Sequence, residues 1–165
     1  MGKQCVVFSL GEEYYGIDIF QVREIIRIPT IVKLPQAPEF VEGVINLRGG
    51  VIPVLDLRRR FGMGKAEDEA GRCIVVVELG EQTLGVIVDG VSEVLEIDEA
   101  SIEPLSPYVA PAEARSVSGI AKVGERLIIL LDLEQALSWK ERERLKALAQ
   151  AEGLVASNGD RPEAL

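Results

Sequence analysis

Residues 43–62 read GVINLRGGVIPVLDLRRRFG, from Gly43 to Gly62, and the fold is decided in this stretch. Gly43 to Leu47 is apolar apart from Asn46, and Val51 to Leu55 is a second apolar run. Arg48-Gly49-Gly50 between them is a turn signal, so the pattern predicts a strand, a tight turn and a second strand. Pro53 interrupts the second run; lacking an N–H, it is expected on an edge strand or at a bulge. Asp56 then opens a short basic turn, Arg58-Arg59-Arg60, which Gly62 stops. An arginine at a hairpin tip between two buried strands is held in place and points outward, which suits recognition better than chemistry.

Outward from this stretch the chain repeats itself. With a constant offset of 69, residues 4–28 fall on 73–97 with nine identities in 25 positions. Val6, Val7, Leu10, Gly11, Glu12, Gly16, Val22, Glu24 and Ile28 meet Val75, Val76, Leu79, Gly80, Glu81, Gly85, Val91, Glu93 and Ile97. With an offset of 76, residues 43–57 fall on 119–133, and Gly43, Ile52, Leu55, Asp56 and Leu57 meet Gly119, Ile128, Leu131, Asp132 and Leu133. The step in offset from 69 to 76 is a seven-residue insertion between the two blocks of the second copy. Two similar subdomains from one ancestral unit follow, copy one at about 4–62 and copy two at about 72–137.

Each copy reads as β. Cys5–Leu10 and Ile74–Leu79 are Val-rich strands, Gly11-Glu12-Glu13 and Gly80-Glu81-Gln82 are hairpin turns, and Tyr15–Ile19 and Leu84–Val88 return. Phe20 to Ile28 fits neither period cleanly, though its β-branched content leans towards strand. Short, evenly spaced strands with glycine turns predict small barrels. Pro29–Pro38 is a proline-rich crossing, with a short helical turn expected at Ala37–Val41. Gly62–Gly71 and Pro104–Glu113 read as surface loops, the first a mobile link between the copies. Ser138 and Glu141 form a capping box that opens a helix over 138–152; Gly153 ends it, and residues 154–165 read as a frayed tail.

The 165 residues carry 47% hydrophobic and 27% charged side chains with net charge −9, the balance of a soluble cytoplasmic protein. Nucleic-acid binding is disfavoured, since it needs a basic face. No apolar run approaches the length of a bilayer span, and the N-terminus lacks the pattern of a secretory signal. The chain has no histidine, which removes the commonest general base and metal ligand. Cys5 and Cys73 fit no metal spacing and read as buried free thiols. Asp56 and Asp132 are not a catalytic pair: each ends a strand and starts a short helix, where an N-cap carboxylate is expected. The sequence therefore predicts no enzyme, no cofactor and no direct membrane insertion.

The copies differ where contact with a partner is expected. Asn46-Leu47-Arg48-Gly49-Gly50 stands opposite Lys122-Val123-Gly124-Glu125-Arg126, so the turn does not require an arginine, and Arg48 becomes a candidate contact. Val22-Arg23-Glu24-Ile25-Ile26-Arg27-Ile28 holds more apolar groups than one core face takes, and an exposed apolar patch rimmed by charge marks a protein contact. Arg58-Arg59-Arg60 reads as a solvated helix face or a docking contact.

The run G-V-I-N-L-R-G-x-V-I-P-V-L-D-L-R, with Leu10–Ile19 and Val86–Val91, closely resembles the signature of the CheW family, the coupling proteins of bacterial chemotaxis. The same module forms the regulatory end of the histidine kinase CheA. The resemblance spans roughly residues 4–150 and implies two intertwined five-stranded SH3-like β-barrels, mainly β, plus the C-terminal helix. It implies a non-catalytic adaptor that couples the cytoplasmic tip of chemoreceptors to the regulatory domain of a CheA-type histidine kinase, in arrays beneath the membrane. Its contact residues fall on Val22, Glu24, Ile25 and Ile28 at a receptor groove, and on Gly43, Asn46, Arg48 and Gly49 of the signature. The alternatives are the same module in a gliding or pilus pathway, or a regulatory fragment of a kinase.

Overall fold

The computed structural model describes residues 2–35, 37–64, 70–104 and 117–136. The expected helix at 138–152, the tail, half of the loop at 62–71 and nearly all of the loop at 104–113 lie outside these residues. Eleven strands are described: β1 (Gly2–Leu10), β2 (Glu13–Asp18), β3 (Val22–Ile26), β4 (Val41–Leu47), β5 (Gly50–Asp56), β6 (Cys73–Leu79), β7 (Gln82–Val88), β8 (Gly90–Asp98), β9 (Ile102–Glu103), β10 (Val117–Val123) and β11 (Arg126–Leu131). Two one-turn helices, α1 (Leu57–Arg60) and α2 (Leu133–Ala136), follow β5 and β11.

The strands form a five-stranded sheet in the order β3-β6-β7-β5-β4 and a six-stranded one in the order β8-β1-β2-β11-β10-β9. The two orders are the same order under the duplication. β3, β6, β7, β5 and β4 correspond to β8, β1, β2, β11 and β10, and the short β9 takes the place of the Val32↔Val44 bridge beside β4. In both sheets the only parallel pair joins strands from different copies, β5 with β7 and β11 with β2. Each barrel is therefore completed by the other copy's first hairpin, which is what makes the pair intertwined.

Alternation along the strands builds three apolar clusters. Val6, Phe8 and Leu10 of β1 and Val75, Val77 and Leu79 of β6 point into a central cluster shared by both sheets. Their alternate neighbours, Cys5 and Val7 on one side and Ile74 and Val76 on the other, fill the two barrel interiors. Strands buried on both faces read as continuous apolar runs, which is why these segments show no polar alternation in the sequence.

Several local expectations change. Pro53 lies on an interior strand, not an edge: it faces Val44 in β4, and pairing with β7 begins one residue later at Val54. The strand thus has a neighbour on only one side where the donor is missing, and no bulge is needed there. The expected helical turn at Ala37–Val41 is a single tight turn, closed by Val41 N donating to Pro38 O at 3.0 Å. Phe20 to Ile28 divides its roles. Ile19–Gln21 makes one 3-10 turn capped by Asp18, and Val22–Ile26 is strand.

Gly43 has φ +151°, and a Cβ there would stand 2.2 Å from the Val32 carbonyl oxygen. The segment after β3 can cross β4 only over a glycine. Gly119, its counterpart, meets Ile102 and the Glu103 carbonyl in the same way.

Candidate functional site: the β3 strand and the β4–β5 turn

β3 and β4 are the outer strands of their sheet, yet the sheet curls until they approach each other. Ile26 of β3, Ile28, Ile31 and Leu47 all pack on the same interior cluster. The closure is completed at the surface. Arg48 Nη1 donates to Glu24 Oε1 at 3.0 Å while Nη2 donates to Glu24 Oε2, a forked charge-assisted pair. The hydrogen bonds from Arg48 hold the Glu24 carboxyl below the usual carboxylate range, and the carboxylate in turn raises the guanidinium.

The turn that carries Arg48 is held by three local features. Leu47 pairs with Gly50, leaving Arg48 and Gly49 as a two-residue loop, with φ +50° and +89°. Positive φ at both central residues is the requirement of the tight hairpin turn whose twist matches the strands. Asn46 Oδ1 accepts from Gly49 N at 2.8 Å and braces the loop. Arg48 is the only non-glycine residue with positive φ among the described residues. Its counterpart Gly124 has φ +63° and bears no side chain to strain. A left-handed arginine is a backbone cost borne at this position, and such outliers concentrate where a side chain has to be presented.

The expected contact residues separate into three groups. Glu24, Ile25, Arg48, Gly49 and Asn46 lie at or beside the β3–turn junction, with Ile25 exposed at 44% between the charged Glu24 and Arg27. Val22 packs against the central cluster and Ile28 against the barrel interior, so both support the face from behind. Gly43 is buried beneath Val32 and shapes the crossing. The Arg58-Arg59-Arg60 cluster is not a free basic face. Arg58 pairs with Asp89 at 3.0 Å, Arg59 with Glu42 at 3.2 Å, and Arg60 stacks over Phe40 at 5.5 Å. Asp56 and Asp132 are caps as expected, accepting from Arg58 N at 2.9 Å and Glu134 N at 3.0 Å. Cys5 and Cys73 are free thiols, the first buried and the second half-buried, and burial pushes both thiols up.

Sequence reasoning missed a second closure of the same kind. Arg126 Nη2 donates to Glu93 Oε2 at 2.8 Å, with the guanidinium 5.2 Å from the Tyr14 ring centroid. Glu93 is Glu24 displaced by 69 residues, so the offset could have found it. Arg126 lies two positions beyond the counterpart of Arg48, so position-by-position matching could not. Phe20, 91% exposed, and Val32 were also missed, because exposure of an apolar residue leaves no periodic trace.

A family model described as CheW-like domain matches residues 4–141. The chain is 33% identical over 151 residues to the chemotaxis protein CheW of Klebsiella aerogenes, covering 92% of this chain and 91% of that protein. It is 33% identical over 149 residues to the chemotaxis protein CheW of Treponema pallidum, covering 88% of each. Among solved structures, the scaffolding protein TtCheW from Thermoanaerobacter tengcongensis matches with a TM-score of 0.77 and 47% identity, over 86% of this chain and 91% of that one.

Proposed function

This chain belongs to the CheW-like family, whose named relatives are chemotaxis proteins, and from that premise we propose that it is a non-catalytic adaptor. In this reading it couples the cytoplasmic tip of a chemoreceptor to the regulatory domain of a CheA-type histidine kinase, and works in the cytoplasm beneath the membrane. Among the described residues no helix is long and apolar enough to cross a bilayer.

The observation that carries the reading is the forked Glu24–Arg48 pair at a left-handed hairpin tip, on a strand whose next residue, Ile25, is exposed on its other face. One exposed apolar side chain flanked by charge, beside an arginine held at a strained hairpin tip, is a recognition surface and not a reaction centre. A helical receptor tip would lay its apolar side on Ile25. The kinase contact falls on a barrel edge, where a like barrel can pair. Signal transfer needs only that the receptor's two states differ in affinity for this face.

The test is a titration of isotope-labelled protein with a receptor-tip fragment and, separately, with the kinase regulatory domain, for wild type and Arg48→Gly. Glycine keeps the left-handed turn that an alanine would strain. Expected are amide shifts across 22–28 with the receptor tip, shifts along one barrel edge with the kinase domain, and at least about tenfold weaker receptor binding by the variant. Absence of binding to both partners at high micromolar concentration would overturn the adaptor reading.

A further inference from the structure

The described chain passes between its two sheets at two places, from β2 to β3 through residues 19–21 and from β7 to β8 at Asp89. Under the offset of 69 these are the same place in the two copies, and Asp89 corresponds to Phe20. The two crossovers are nevertheless built differently.

At Asp89 both sheets are gripped. Its N–H donates to Ser9 O at 3.0 Å, and its Oδ2 accepts from Gly11 N at 2.7 Å; both partners belong to the β1–β2 hairpin of the six-stranded sheet. From the five-stranded sheet's side, Arg58 Nε donates to Oδ1 at 3.0 Å and Oδ2 at 3.1 Å, and Arg72 Nε stands 3.6 Å from Oδ1. Arg72 Nη2 also donates to both oxygens of Asp56, at 3.2 and 3.1 Å. All four side chains are 15% exposed or less. Two positions change character at the other crossover, where Asp89 and Arg58 become Phe20 and Glu134; Arg72 becomes the basic Lys3, and Asp56 keeps its identity as Asp132. There the crossing is a single 3-10 turn, with Phe20 N on Asp18 Oδ1 at 2.9 Å and the Phe20 ring in solvent.

We propose that Asp89, together with Arg58 and Arg72, is a positioning lock that fixes the angle between the two barrels, and that the Phe20 crossover is the hinge left unlocked. The central cluster between the sheets is apolar and therefore non-directional. A largely buried ion network adds little net stability but imposes one geometry, because moving either sheet separates charges that little solvent reaches. The fold itself does not require the lock, since the equivalent crossover does without it. The β3 strand with Glu24 and Ile25 follows directly after the unlocked hinge, so the Asp89 lock limits any adjustment of that strand against the second barrel. This inference rests on the geometry of the chain alone and stands or falls apart from the adaptor reading.

The test uses the full chain without partners. Residual dipolar couplings and amide hydrogen exchange are measured for wild type, Asp89→Asn and Phe20→Ala. In wild type and Phe20→Ala, one alignment frame is expected to fit both sheets. In Asp89→Asn each sheet should still fit its own geometry, while the two require different frames. Exchange at Gly11 and Asp89 should rise about tenfold or more, the scale of a charge-assisted hydrogen bond. If Asp89→Asn does not fold, Arg72→Gln, which leaves the Arg58–Asp89 contact in place, is read in the same way with a smaller rotation. A single frame and wild-type exchange in the Asp89 or Arg72 variant would overturn the lock. An equal disturbance by Phe20→Ala would overturn the inequality of the crossovers.

Discussion

Arg48 combines a backbone conformation that favours glycine with a side chain tied to Glu24. Both halves of that pair are exposed enough for solvent to screen it, so its value lies in orientation more than in stability. Arg48→Gly is accordingly expected to leave the thermal midpoint unchanged or slightly raised, since relief of the left-handed strain offsets the lost pair; a clear fall would show the pair to be structural. The same substitution has a titration signature. With its carboxyl depressed in the folded chain, Glu24 contributes above the unfolded value of about 4.3 and loses that contribution as pH falls through the lower folded value. Carbon-detected titration of Glu24 should therefore move upward in Arg48→Gly. An unchanged Glu24 curve would mean that the pair does not persist in solution.

At the scale of elements, the two crossings over glycine bring a backbone carbonyl within 3.0 Å of where a Cβ would stand. Gly43→Ala would drive a methyl into the Val32 carbonyl at a backbone angle that L residues rarely adopt. Overpacking of this kind costs about 1–3 kcal/mol before backbone strain is added. Urea unfolding is the check, and a loss of about 2 kcal/mol or more is expected, with Gly49→Ala the milder comparison because nothing lies within 4 Å of its Cβ position. The hairpins make the complementary point. Gly11, Gly80 and Gly124 each open a two-residue turn with φ near +64° and are followed by glutamate, whereas the β4–β5 turn runs Arg48-Gly49 with both residues left-handed. Three turns follow one recipe, and the fourth departs from it at the expected recognition site.

The whole molecule is a single interleaved unit. β1 and β2 lie between β8 and β11, and β6 and β7 lie between β3 and β5. A chain cut after Gly64 would keep β1–β5 yet lose the neighbours of β1, β2, β3 and β5 and half of the central cluster. Such a half is expected to remain unfolded, with collapsed amide dispersion, and to gain structure only when mixed with the rest of the chain. The intact protein is expected to unfold in one cooperative transition seen alike from both sheets. A folded isolated half, or two separate transitions, would contradict this.

Much of this was legible without coordinates. The hairpin around Arg48, the strand pairs of each copy, the capping roles of Asp56 and Asp132 and the candidacy of Arg48 follow from local chemistry: turn residues, alternation, caps and a repeat that compares a chain with itself; Glu24 and Ile25 are singled out by the family resemblance. What the sequence by itself determined is what depends on near neighbours and on composition. The tertiary structure alone decided which sheet each strand joins, because swapping the two first hairpins preserves every local pattern. It decided that Arg58 is buried against Asp89 and not displayed, and that Arg126 substitutes for Arg48 two positions out of register. It decided, too, that Gly43 serves packing. Each of these depends on groups far apart in the chain meeting in space, and on one glycine, one carboxylate or one guanidinium being placed by the curl of a sheet whose closure no local pattern encodes.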